Sequence, residues 1–175
     1  LYGGKSLVLL KLFFEKIVDM YAPGSSSQKD FFQILNSLDH SILTDPNCLK
    51  VDPLFNGNRR NPEIRGTISQ ITETNLTPEN LLAGFLKGIC VEMASFYNEL
   101  PVWIKNEISH LIGSGNAIRQ NPVLREMLTI TFNRELRIPS HSEEAAFGAS
   151  LCAVAGGGHI SGFHDAGSLI EYISH

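Results

Sequence analysis

Four consecutive residues, Gly113-Ser114-Gly115-Asn116, stand between a short β-like run at Ile108 to Ile112 and a segment, Pro122 to Phe132, that reads as a helix. A glycine-bearing turn from strand to helix lets a ligand approach the backbone, because glycine has no Cβ and accepts positive φ cheaply. The helix that follows presents unpaired N–H groups and a partial positive charge at its start, which favours anionic or hydrogen-bond-accepting groups. The same turn can equally do no more than satisfy backbone geometry. Asn116 has two readings, a side-chain amide offered to a ligand or a left-handed or capping residue. Asn121 has the amide reading beside that of an N-cap before Pro122. A cap can also face a ligand.

Other constellations point to less. His159, His164 and Asp165 lie in a glycine-rich tail with neither H-E-x-x-H nor a fourth ligand. No G-x-S-x-G elbow occurs. Lys5-Ser6 after Gly3-Gly4 has the form of a P-loop's end, but the earlier glycine of that motif falls outside the chain. Asp19, Asp30, Asp39, Asp45, Asp52 and Asp165 sit in ordinary helix or loop contexts, where a carboxylate is solvated, and none takes the part of a general base. Cys48, Cys90 and Cys152 are odd in number, widely spaced and without a C-x-x-C pair, so they read as reduced thiols in a cytoplasmic compartment. Cys90 and Cys152 fall within apolar helical patterns, where a thiol behaves as a small hydrophobe.

The elements that must position the turn follow from periodicity and punctuation. Leu7, Leu10, Phe14, Ile17 and Val18 have helical spacing, and Ala22-Pro23-Gly24 ends that helix. A serine loop, Ser25 to Ser27, precedes a second short helix from Asp30 through Phe31, Leu35 and Leu38 towards Thr44-Asp45-Pro46. Leu49 to Phe55, the turn-rich run Asn56 to Pro62, and Gly66 to Ile71 predict strand, loop, strand. Thr77-Pro78-Glu79 is an N-cap with proline in the first turn, opening a long helix that ends before Pro101. Beyond the Gly113 turn, Leu136 to Pro139 predicts a strand, Ser142 to Val154 leads into a helix ended by Gly156 to Gly158, and Ala166 to Ile173 a terminal helix. Strand, helix, strand, helix implies an α/β layer in which the strands at 108–112 and 136–139 pair in parallel.

Composition bounds the function. With 175 residues, 43% hydrophobic and 18% charged, the chain fits one well-packed domain and excludes a disordered or collagenous class. A net charge of −4 with 14 scattered basic residues argues against a nucleic-acid partner. The most apolar run, Leu7 to Phe14, holds Lys11 between Lys5 and Glu15 and is too short to span a bilayer. No signal-peptide pattern opens the chain, and a start at Leu rather than Met suggests a fragment.

Read in order, Gly113-Ser114-Gly115-Asn116, Asn121-Pro122, Arg137-Ile138-Pro139 and Glu144-Ala145-Ala146-Phe147-Gly148-Ala149-Ser150 resemble the C-terminal half of the FGGY carbohydrate kinases. Pro53 to Gly57 and Asn61 to Gly66 are similar to that family's strand-loop-strand before its long helix, and Gly3-Gly4 to its glycine turn near the nucleotide phosphates. The resemblance covers Gly3 to about Gly156 and is nearest to the sedoheptulokinases. Gln70 departs from the family's usual glycine, Gly84 from alanine or serine, and Lys87 from an acidic or amide residue.

This resemblance implies an actin-like ATPase (ribonuclease H-like) domain, a mixed sheet flanked by helices, over residues 1–158, with 159–175 as a tail containing a short helix. It implies ATP with magnesium. Gly113, Ser114 and Gly115 would line adenine and ribose, Asn116 or Asn121 would supply an amide to adenine, and Gly3 and Gly4 would lie by the phosphates. The aspartate base, the metal-organising acids and most sugar contacts would come from an N-terminal half outside this chain, the expected partner. The acceptor is expected to be sedoheptulose, with xylulose or glycerol as alternatives. A second reading is a non-catalytic regulatory module that keeps the fold without using ATP.

Overall fold

The computed structural model describes residues 3–24, 30–58 and 61–173. The serine loop expected at 25–27 and part of the turn-rich run, Arg59 and Arg60, lie outside the described residues.

Helix α1 (Gly3–Tyr21) buries Leu7 and Leu10 and ends where Gly24 turns to φ 81°. The single short helix expected next is two, α2 (Phe31–Asn36) and α3 (His40–Thr44). Each has its own acidic N-cap: Asp30 accepts from the Phe32 N–H and Asp39 from that of Ser41. The second cap restarts the helix in a new direction, because a cap residue sits in extended rather than helical backbone.

Strand β1 (Lys50–Asp52) pairs antiparallel with β2 (Thr67–Ser69), Val51 opposite Ile68, as the strand-loop-strand expectation requires. The Thr77 hydroxyl accepts from the Asn80 N–H and Pro78 opens the long helix α4 (Pro78–Asn98). That helix lies directly on β1. A Cβ on Gly84 would come within 2.8 Å of the Leu49 carbonyl oxygen, and one on Gly88 within 2.1 Å of that of Val51. Leu82, Phe85, Leu86 and Ile89 of α4 form the centre of the core, and Cys48 and Cys90 are buried with them. Burial pushes both thiols up, Cys90 to about 12. Cys152, expected to behave as a hydrophobe, is exposed.

A helix not foreseen, α5 (Val102–Glu107), leads into β3 (His110–Ile112). After the Gly113 turn come the single-turn helix α6 (Asn116–Arg119), α7 (Pro122–Phe132) and β4 (Glu135–Pro139). Strands β3 and β4 pair in parallel, with Leu111 opposite Leu136, and α7 makes the crossover. Helix α7 packs on both β4 and α4, burying Val123, Leu124, Met127 and Leu128. Asn133 ends it in the left-handed conformation, φ 48°.

Helix α8 (Glu144–Gly156) stops at the predicted glycines and buries none of its residues. The terminal helix expected at Ala166 to Ile173 is corrected. A short helix, α9 (Phe163–Gly167), comes first, and β5 (Tyr172–Ile173) then pairs antiparallel with the end of β4. Backbone pairing with Ile138 and Pro139 overrides the weak apolar pattern of this segment. The result is a mixed three-stranded sheet, ordered β3-β4-β5, beside the two-stranded β1-β2 ladder.

Candidate functional site

Because β3 and β4 run parallel, their carboxyl ends open on one edge, the edge at which α/β sheets bind ligands. The Gly113–Asn116 turn leaves β3 at that edge. Gly113 is buried, and its N–H donates to the Arg137 carbonyl at 2.9 Å. A Cβ there would lie 2.9 Å from Ile118 Cγ2, so this glycine closes the turn against α6 and the sheet. Ser114 and Asn116 are exposed. Gly115 between them has φ 90° and caps α6, and a Cβ on it would meet nothing within 4 Å. The positive φ and the capping position considered for Asn116 thus both belong to Gly115, and Asn116 is the first helical residue.

Asn121 takes the other of its two readings. It is fully enclosed, and its Oδ1 accepts from the Leu124 N–H at 2.8 Å, capping α7. Its Nδ2 is buried and has no partner among the described residues. Of the two amides expected for adenine, only Asn116 stands at the surface.

Gly3 and Gly4 form the first turn of α1, and a Cβ on Gly4 would face open space. Ser6 Oγ donates to the Pro53 carbonyl at 3.4 Å, so this turn is fixed beside the β1–β2 connection.

Sequence reasoning missed the ion pair that underlies the turn. Glu144 Oε1 accepts from Arg119 Nε at 2.9 Å, from Arg119 Nη2 at 2.7 Å, and from the Gly115 N–H at 3.3 Å. Arg119 Nη2 also donates to the carbonyls of Pro139, at 2.7 Å, and of His141. The Arg119 hydrogen bond, the largest influence, holds the Glu144 carboxyl below its usual value. The His141 ring stacks on Phe147 with centroids 3.6 Å apart. The one available sequence signal was an acidic residue in the first turn of α8, which by itself complements the helix dipole.

The turn thus offers an open, Cβ-free backbone at Gly115 flanked by an exposed hydroxyl and an exposed amide. Among the described residues no group of three or more His, Cys, Asp or Glu is placed to hold a metal ion. His164 and Asp165 approach only to 3.9 Å on the exposed face of α9. Among the described residues no helix is long and apolar enough to cross a membrane.

Comparison with known proteins bears on the fold and the family. The chain is 21% identical over 144 residues to the gluconokinase of Bacillus subtilis (strain 168), covering 81% of this chain and 28% of that protein. The crystal structure of xylulose kinase from Rhodospirillum rubrum superposes on 98% of this chain with a TM-score of 0.69 at 20% identity, over 33% of its own length. That of xylulose kinase from Bifidobacterium adolescentis covers 63% of this chain and 22% of itself, with a TM-score of 0.52 and 20% identity. The chain thus spans about a third or less of the length of these relatives. The shared fold is the expected actin-like α/β class, a mixed sheet flanked by helices. Residues 25–156 match the C-terminal domain of the FGGY family of carbohydrate kinases, and the chain belongs to that family.

Proposed function

We propose that this chain is the nucleotide-binding part of an ATP-dependent sugar kinase, which transfers the γ-phosphate of ATP to a sugar hydroxyl. The observation that carries this reading is the glycine-bearing turn at the carboxyl edge of β3 and β4, open on the Cβ side of Gly115. Adenosine lies against Ser114 and Gly115, with Gly113 closing the turn behind them and the Asn116 amide at the adenine edge. Asn121 acts one step behind, by holding the start of α7. Gly3 and Gly4, at the first turn of α1, are assigned to the phosphates, where unpaired helix N–H groups favour anions.

Phosphoryl transfer depends on positioning and charge stabilisation more than on covalent help from the protein. Magnesium bound with the nucleotide supplies part of that charge, with ligands from outside this chain. An N-terminal half carrying an aspartate base is the partner that completes the cleft and takes the proton of the sugar hydroxyl. A cytoplasmic setting fits three unpaired thiols and an ATP-consuming reaction.

The acceptor is a ketose or a related sugar. The resemblance at Gly3-Gly4 favours sedoheptulose, whereas the names of the similar proteins favour xylulose or gluconate. Calorimetric titration of the full-length protein with ADP, followed by a coupled assay on these sugars, tests both levels. Saturable ADP binding with turnover of at least one sugar is expected. Absence of ADP binding would favour the non-catalytic module.

A further inference from the structure

We propose that Glu144 and Arg119 are positioning residues for the nucleotide turn: together they grip the Gly115 backbone and fasten it to α8 and to the end of β4. The proposal rests on the nucleotide reading of that turn.

Helix α6 has only four residues and cannot hold its own shape, since a single helical turn fixes many dihedrals for few hydrogen bonds. Gly115, its cap, contributes no side chain. The turn is instead held from a distance by Glu144, 29 residues later, whose Oε1 accepts the Gly115 N–H and two Arg119 donors. Arg119 then carries the connection onward through the carbonyls of Pro139 and His141. One ion pair thus joins four pieces of chain: the turn, α6, the end of β4 and the first turn of α8.

The grip leaves the ligand face free. It engages the N–H of Gly115, whereas the space where a Cβ would stand is empty. Side-chain exposures of 17% for Arg119 and 26% for Glu144 mean the pair is partly withdrawn from water, where charge-assisted bonds are stronger than at an open surface. Charge balance supports the same assignment. A lone carboxylate behind this turn would oppose an anionic nucleotide, and Arg119 neutralises it while spending its Nε and Nη2 donors on protein oxygens. Neither residue is catalytic, because both act through the Gly115 backbone.

The test uses the full-length protein with ADP as probe. Glu144→Gln keeps the shape and removes the charge; Arg119→Lys keeps the charge and removes the planar two-pronged geometry. Each is expected to weaken ADP binding roughly tenfold, the scale of one charge-assisted hydrogen bond. Each should also speed hydrogen exchange over residues 112–120. In turnover, KM for ATP should rise while kcat is kept, a split that general loss of stability does not produce. If Glu144→Gln fails to fold, Arg119→Lys carries the same measurements. Unaltered protein that binds ADP, with variants that bind it equally well, overturns this inference and leaves the nucleotide reading standing. Unaltered protein that does not bind ADP overturns the nucleotide reading, and this inference with it.

Discussion

Gly115 holds φ 90°, a conformation that costs a β-branched residue on the order of 1 to 3 kcal/mol. Valine there would also project into the open face assigned to adenosine. Gly115→Val is therefore expected to lose ADP affinity, measured by calorimetry, beyond what the strain alone removes from stability. A collapse in melting temperature with unchanged affinity would make the glycine purely structural. The same backbone argument explains Gln70, which stands at φ 60° where the family usually has glycine, so the departure carries local strain. His40 offers a test in pH. Its hydrogen bond to Glu126 raises its pKa above 6.5, so the folded chain holds that proton more tightly than the unfolded one. The resulting stabilisation is fully present below 6.5 and fades as pH rises through the raised value. His40→Gln should melt below the unaltered protein on the acid side and converge with it on the alkaline side. A gap that widens with pH would refute the assignment. Glycine turns and caps were legible in the sequence because their causes are local, and Thr77, Gly113 and Asn121 show it. The Arg119–Glu144 pair was not, because residues 25 apart meet only once β3 and β4 have paired.

Helix α4 shows how an element can be read correctly while its purpose is missed. Thr77-Pro78 marks its start and Pro101 its end, but Gly84 enters the sequence reading only as a departure from the family's alanine or serine, and Gly88 does not enter it. They are where the bare backbone of α4 comes against the Leu49–Pro53 segment. In an exposed helix, glycine to alanine gains about 1 kcal/mol. At Gly88 the added methyl would fall 2.1 Å from the Val51 oxygen, so the sign reverses. Gly88→Ala is expected to destabilise by about 1 to 3 kcal/mol in urea melts, and Gly84→Ala by less. Equal or higher stability for Gly88→Ala would show that α4 can lift off β1 without loss. The misread elements have two causes, a local cap that was overlooked and a pairing partner distant in sequence. The α2–α3 break depends on a second aspartate cap, and β5 exists only because β4 offers it an edge.

At the scale of the whole molecule, the chain matches about a third or less of each similar kinase, and the base is proposed to come from outside it. The 175-residue chain alone is expected to show no measurable phosphorylation of sedoheptulose, xylulose or gluconate, and to regain it when joined to an N-terminal half carrying the base. ADP binding by the chain alone should be weak. Each tenfold in affinity is about 1.4 kcal/mol, so a few lost phosphate contacts move a micromolar site to millimolar. Robust turnover by the chain alone would sink the half-enzyme reading. Helix α8 supplies a reporter of that union. Cys48 and Cys90 are buried, and burial keeps their thiols protonated and slow, whereas Cys152 stands exposed on α8. A coloured disulfide reagent should therefore take one fast equivalent from the native chain and three after denaturation. The chain thus carries its own single-site chemical label. If the other half closes over α8, that one fast equivalent will slow, and the rate of colour development will measure the closed fraction.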